Sequence, residues 1–206
     1  LEPPSPIILA SKSPRRKALL KQTGLTFAVL ESDFDESELI ETDAAAYVRR
    51  LAMGKAASVA RRYPNHWIIG ADTEVVLDGH IFGKPRNNLD AARTLQKLSG
   101  KVHRVLTGYA VVSHSRQHCF VDSCVTEVTF ERLTPLEIEW YIDTGEPFNK
   151  AGAYAIQGLG AYLVRSINGS YPNVVGLPVN RVVDHLINIG AARLSTNGRN
   201  WIESVD

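Results

Sequence analysis

A carboxylate set against an apolar strand opens the chemical question. In "WIIGADTEVVLDGHIFGKPR", residues 67–86, Trp67, Ile68 and Ile69 read as a buried strand and Asp72 follows at once. An acid there either caps the strand end as a turn residue or is aimed into a cleft for catalysis. Lys84 sits in Gly83-Lys84-Pro85, where the flanking Gly and Pro fix the backbone and so the aim of the side chain. Arg15 and Arg16 follow Ser13-Pro14, an N-cap and first-position pair, and so fall in the first turn of a helix. Cations oppose the macrodipole there unless an anion is bound, and free N–H groups with two guanidinium forks suit phosphate. "DFDESEL" (33–39) is acidic, centred on Asp35 and Glu36. Lys55 interrupts an apolar helical stripe, from which it either snorkels to solvent or reaches into a cleft. Gln157 is the amide of a glycine-rich stretch, "KAGAYAIQGLG" (150–160). Basic side chains with a few carboxylates are what a metal–polyphosphate substrate asks for. Arg and Lys neutralise outer oxygens, carboxylates hold a hard divalent cation, and one carboxylate accepts a proton from attacking water. Taken singly, these features also fit a solvated acidic loop, tight glycine turns and solvated arginines.

The elements that must position these groups follow from periodicity and caps. "PIILA" (6–10) is a short strand, and the helix after Ser13 closes at Gly24. Residues 42–64 form a helix with Thr42 as cap, Pro64 beyond its end, and Val48, Leu51, Ala52, Ala56 and Val59 on one face. Gly54 inside it weakens the helix by about 1 kcal/mol relative to alanine. Asp78-Gly79 is a hairpin turn that returns the chain towards Lys84. A helix spans 88–100, capped near Asn88 and ended by Gly100; strands at 102–113 and 119–132 pair around a polar loop. Thr134, Pro135 and Glu137 open a capped helix that Gly145 closes. A strand at 161–167 and a final amphipathic helix at 178–190 precede a loose tail. Helices alternating with strands, and a central hairpin, predict an α/β protein with a mixed twisted sheet flanked by helices. The length suits one domain or two closely joined lobes over 1–190, with a C-terminal tail at 191–206.

Composition narrows the class. Lys plus Arg number 23 and Asp plus Glu 22, so no basic excess points to a nucleic-acid binder. Trp67, Trp140 and Trp201 are scattered and make no stacking stripe for single strands. No apolar run reaches a membrane span, and no signal peptide is visible in a chain that starts at Leu1. Cys119 and Cys124 fall on opposite faces of a strand and are expected to be reduced thiols in a cytoplasmic protein. The six histidines show no HExxH or similar spacing, so a zinc site is not expected. Neither a P-loop nor a dinucleotide fingerprint occurs.

Seven ordered motifs then carry a resemblance: "LASKSPRR", "RLAMGKA", "GADTEVV", "GKPR", "LSGKVHRVLTG", "NKAGAYAIQGLG" and "INGSYPNVVGLP". Over residues 7–188 the chain resembles the Maf family of nucleotide pyrophosphatases. The resemblance implies hydrolysis of nucleoside triphosphates between the α and β phosphates, with Mg²⁺, or Mn²⁺ in its place, as cofactor. It implies two lobes around a deep cleft, as in inosine-triphosphate pyrophosphatases, and a homodimer. By motif, Asp72 matches the proton acceptor, and Glu36 matches an acidic residue that assists the metal. Asp72 and Glu36 are thus the implied metal ligands. Arg16, Lys55 and Lys84 match basic residues around the phosphates, Lys84 among the catalytic set. Arg15, Thr73 and Gln157 match positions tied to substrate choice and resemble the branch acting on dTTP and UTP. The branch for 7-methyl-GTP carries a tryptophan in the first motif and a glutamine after the aspartate. Ala155 stands where the family has glycine, which costs stability if the backbone there needs positive φ. The competing expectation is a nucleotide-binding regulator of septum formation without significant catalysis.

Overall fold

The computed structural model describes residues 6–36, 39, 41–194 and 202–205. Its elements begin with strand β1 (Ile7–Ala10), helix α1 (Pro14–Gln22), β2 (Ala28–Leu30), α2 (Ala44–Arg62), β3 (Trp67–Leu77) and β4 (His80–Phe82). They continue with α3 (Asn88–Leu98), β5 (Val102–Ser113), β6 (His118–Phe130) and α4 (Pro135–Asp143). Short 3-10 segments at Ala151–Ala153 and Gly158–Leu163 lead to β7 (Val164–Asn168), α5 (Tyr171–Val175) and α6 (Val179–Asn188). Last come β8 (Ala192–Leu194) and β9 (Ile202–Ser204). The main sheet runs β2-β1-β3-β5-β6-β7, with β4 paired to β3. It is mixed: β1 is parallel to β2 and β3, while β3–β4 and β6–β7 are antiparallel. The α/β class and the mixed sheet flanked by helices agree with the sequence reading.

Several boundaries differ from expectation. Asp43, not Thr42, caps α2: its Oδ1 accepts from Ala46 N at 2.6 Å. Asn87, not Asn88, caps α3 through the Asp90 amide at 2.9 Å. In both cases the residue with the three-residue reach to a free N–H wins over its neighbour. The strand expected from residue 161 starts at Val164, because 161–163 complete a 3-10 segment begun at Gly158. Part of the expected loose tail is paired instead: Ile202–Ser204 lies antiparallel to Ala192–Leu194, while residues 195–201 fall outside the described residues. The Asp78-Gly79 hairpin forms as read, with φ of 51° and 79° and Leu77 opposite His80.

The chain divides into two compact units. The first comprises residues 1–72, 107–123 and 176–206, the second 73–106 and 124–175. In the first, the α2 residues Ala52, Ala56, Val59 and Ala60 pack with Ile8, Ala10, Ile68 and Ala110 of the sheet. The expected α2 stripe, Val48 through Val59, is fully buried. In the second, Leu95 and Leu98 of α3 and Ile138, Tyr141 and Ile142 of α4 close over Val75, Val105, Val128 and Phe130. Each fully buried aliphatic side chain of this size contributes roughly 1.5–3 kcal/mol. Among the described residues no disulfide forms; Cys119 is exposed and Cys124 buried.

Candidate active site

In the first unit, β1 and β3 run parallel in a register that ends at Ala10 opposite Gly70. The chain leaves β1 there, turns through Ser11 and Ser13, and starts α1. Ser13 Oγ accepts from Arg16 N at 3.4 Å, and Pro14 opens the helix, as read from sequence. Arg15 and Arg16 therefore sit half-buried in the first turn of α1, with no acidic residue beside them in that turn. The Arg16 guanidinium is fixed by an Nε–H bond of 2.7 Å to the Gly176 carbonyl. Past the Ala10–Gly70 pair, β3 continues to Asp72. The acid and the arginine-bearing helix start thus share the carboxyl end of the parallel strands, where open α/β sheets bind ligands.

One expectation is corrected here. Asp72 does not end its strand; β3 runs on to Leu77, and Asp72 lies in its middle, 8% exposed. A carboxylate is tolerated inside a strand because a partner compensates its charge. Lys55 Nζ of α2 lies 2.5 Å from Asp72 Oδ1 and 2.8 Å from Glu36 Oε1. Of the two routes open to Lys55, the inward one is taken: its side chain is only 14% exposed.

Glu36 arrives by a route that sequence did not indicate. Ser32 Oγ and Ser58 Oγ of α2 share a hydrogen bond of 2.8 Å, and Ser32 Oγ accepts from Phe34 N at 3.1 Å. The Ser58 hydroxyl also holds the Asp33 carboxyl below its usual range. The Phe34 ring then rests on Gly54, where an added Cβ would meet ring atoms at 2.4 Å. Gly54 precedes Lys55, so the glycine that weakens the helix seats the loop that brings Glu36 to the lysine.

The remaining sequence candidates belong to the second unit. Thr73 follows Asp72 within β3 and is half-buried. Lys84 lies two residues beyond β4 and is exposed. Gln157 is exposed, in extended conformation (φ −99°, ψ 162°), directly before the 3-10 segment Gly158–Leu163. Ala155 is not among the positive-φ residues; Gly152 and Ala153, at 69° and 58°, take the left-handed backbone instead. The cost expected of Ala155 therefore does not arise.

Two carboxylates converging on one cationic centre are a donor set that also fits Mg²⁺, which keeps waters and substrate oxygens for its other positions. Among the described residues no cluster of three or more His, Cys, Asp or Glu side chains could hold a metal on its own. Asp72 and Glu36 are the carboxylates placed to hold such an ion.

Fold and site together define an α/β protein equipped for phosphate chemistry, with a Lys-bridged carboxylate pair and an arginine-bearing helix start at one end of its sheet. The chain belongs to the Maf-like protein family, which matches residues 6–189. It is similar to a protein named dTTP/UTP pyrophosphatase from Geotalea uraniireducens (strain Rf4), 51% identical over 91% of this chain and 96% of the relative. Proteins of the same name from Geobacter sp. (strain M21) and Halalkalibacterium halodurans are each 49% identical. The first covers 91% of this chain and 97% of the relative, the second 86% and 93%.

Proposed function

We propose that this chain hydrolyses dTTP and UTP, and modified pyrimidine triphosphates of the same shape, to the monophosphate and pyrophosphate. The observation that carries the reading is the Lys55 ammonium held between Asp72 and Glu36, in a chain half-identical to proteins bearing that name. Asp72 accepts the proton of the water that attacks phosphorus. Burial inside a rigid strand keeps the carboxylate aimed, and Lys55 holds it in place. Arg15 and Arg16 bind phosphate or base at the start of α1, where backbone N–H groups add to the guanidinium charge. Lys84 neutralises phosphate charge that builds in the transition state. Thr73 and Gln157 select the base, the amide of Gln157 offering a pyrimidine edge both a donor and an acceptor. Mg²⁺, or Mn²⁺ in its place, supplies charge neutralisation of the polyphosphate when held by Asp72 and Glu36.

A cytoplasmic setting, in which Cys119 and Cys124 remain thiols, is part of this reading; among the described residues no helix is long and apolar enough to cross a membrane. A homodimer is carried over from the family and is read directly by sedimentation. The regulator without catalysis is not favoured. Purified protein with dTTP, UTP, CTP and 7-methyl-GTP, with Mg²⁺ or EDTA, tests the whole reading. The expected outcome is pyrophosphate and monophosphate from dTTP and UTP, lost in EDTA and lost in a folded Asp72→Asn variant. Undiminished turnover by Asp72→Asn, or preference for the methylated purine, would refute it.

A further inference from the structure

Gln157 has no element of its own to aim it; the backbone on either side does that, and that backbone is gripped. Downstream, Leu159 N and Gly160 N donate to the two carboxylate oxygens of Glu146, at 3.0 Å to Oε2 and 3.1 Å to Oε1. Upstream, Ala155 N donates to Tyr141 Oη at 3.2 Å, and that hydroxyl donates in turn to Glu146 Oε1 at 3.2 Å. Two side chains thus tie residues 155, 159 and 160 to one point, leaving 156–158 as a short bight with Gln157 at its middle. The bight closes tightly: a Cβ on Gly160 would lie 2.2 Å from the Ala155 carbonyl oxygen and 2.5 Å from Tyr141 Oη. Only glycine fits there.

The grip is itself anchored. Tyr141 is fully buried on α4, and Glu146 N donates to Thr144 Oγ1 at 3.1 Å in the turn after that helix. Lys150 Nζ donates to the Glu146 carbonyl. Tyr154 Oη shares a 2.8 Å hydrogen bond with the buried His103 ring. Just upstream, Ala153 holds a left-handed backbone that a residue with a side chain rarely adopts, and such conformations persist where surroundings over-determine them. None of these residues was singled out as a site residue from sequence.

We propose that Tyr141 and Glu146 are positioning residues for base selection, acting through the Gln157 bight without touching the nucleotide. The proposal rests on the reading that Gln157 contacts the base. Loosening the grip disperses the amide over many orientations, and misplacement of about 1 Å can cost on the order of a hundredfold. The loss falls on choosing between bases, since the carboxylate–lysine centre belongs to other residues.

The test uses the full chain and four proteins: wild type, Glu146→Ala, Gln157→Ala and the double variant, each assayed for kcat and KM with dTTP and with dCTP. Glu146→Ala is expected to lower the dTTP preference about tenfold or more, chiefly through KM for dTTP. Glu146→Gln, which keeps one acceptor, recovers part of it. If Glu146 acts through Gln157, the double variant discriminates no worse than Gln157→Ala alone. Amide exchange at Leu159 and Gly160 accelerates in Glu146→Ala at an unchanged melting temperature. Should Glu146→Ala fail to fold, Tyr141→Phe, which conserves volume, is measured in its place. Preserved discrimination in the Glu146 variant, or additive losses in the double variant, overturns the proposal while leaving Gln157 as base reader. Discrimination unaffected by Gln157→Ala overturns both.

Discussion

Lys55 stands between two carboxylates that would repel each other without it, and its own charge is compensated by both. That mutual dependence links three segments far apart in the chain: the acidic loop, α2 and the middle of β3. A second buried polar residue behaves differently. His103 is 1% exposed, and burial pushes its imidazole down from 6.5 to about 4. Its partner Tyr154 is buried as well, and its phenol is pushed up. Above pH 6.5 the histidine is neutral in folded and unfolded chains alike, and it costs nothing. Between 6.5 and about 4 only the unfolded chain binds the proton, so stability falls as pH falls. The loss reaches about 3 kcal/mol near pH 4. Urea midpoints measured across that window should drop in the wild type and drop less in His103→Gln, whose amide does not titrate. An equal slope in both proteins would remove His103 from the account.

At the scale of elements, α2 carries the sharpest conflict between local preference and site. Alanine in place of Gly54 should favour the isolated helix by about 1 kcal/mol. In the fold the added methyl meets the Phe34 ring at 2.4 Å, so the ring and the loop with Glu36 must shift. Gly54→Ala is expected to keep the far-ultraviolet helix signal yet lose on the order of tenfold in kcat/KM, because Glu36 leaves Lys55. Unchanged turnover would mean that Phe34 yields without moving Glu36. The conflict shows what was legible beforehand. Periodicity placed the buried face of α2 and the intruding Lys55, because both are local, repeating signals. It could not show that Phe34 needs the space at position 54, a contact between residues 20 apart in the chain. Asp72 was misread as a strand end for the same reason. A charge in a strand looks like a terminus until its partner is known, and Lys55 lies on another element. The bight at Gln157 was recognised by motif, but its anchors Glu146 and Tyr141 looked like ordinary residues of a helix and its closing turn.

The whole molecule is built from two units, neither of which is a continuous stretch of chain. The chain passes between them at 72/73, 106/107, 123/124 and 175/176, and the first three crossings fall inside β3, β5 and β6. Each unit has its own apolar core, which on packing alone would allow each to melt separately. Connectivity argues the other way. A strand loses its ladder when the chain it continues into unravels, and three strands are held in common. The expectation is one cooperative equilibrium transition. Leu51→Ala strikes a fully buried α2 residue of the first unit, and Leu95→Ala a fully buried α3 residue of the second. Each should cost roughly 2–5 kcal/mol. Under a single transition, both variants lower the same midpoint, and tryptophan fluorescence and circular dichroism coincide throughout. If Leu51→Ala instead splits the curve, with an early phase that Leu95→Ala leaves in place, the units melt independently and the shared strands do not couple them.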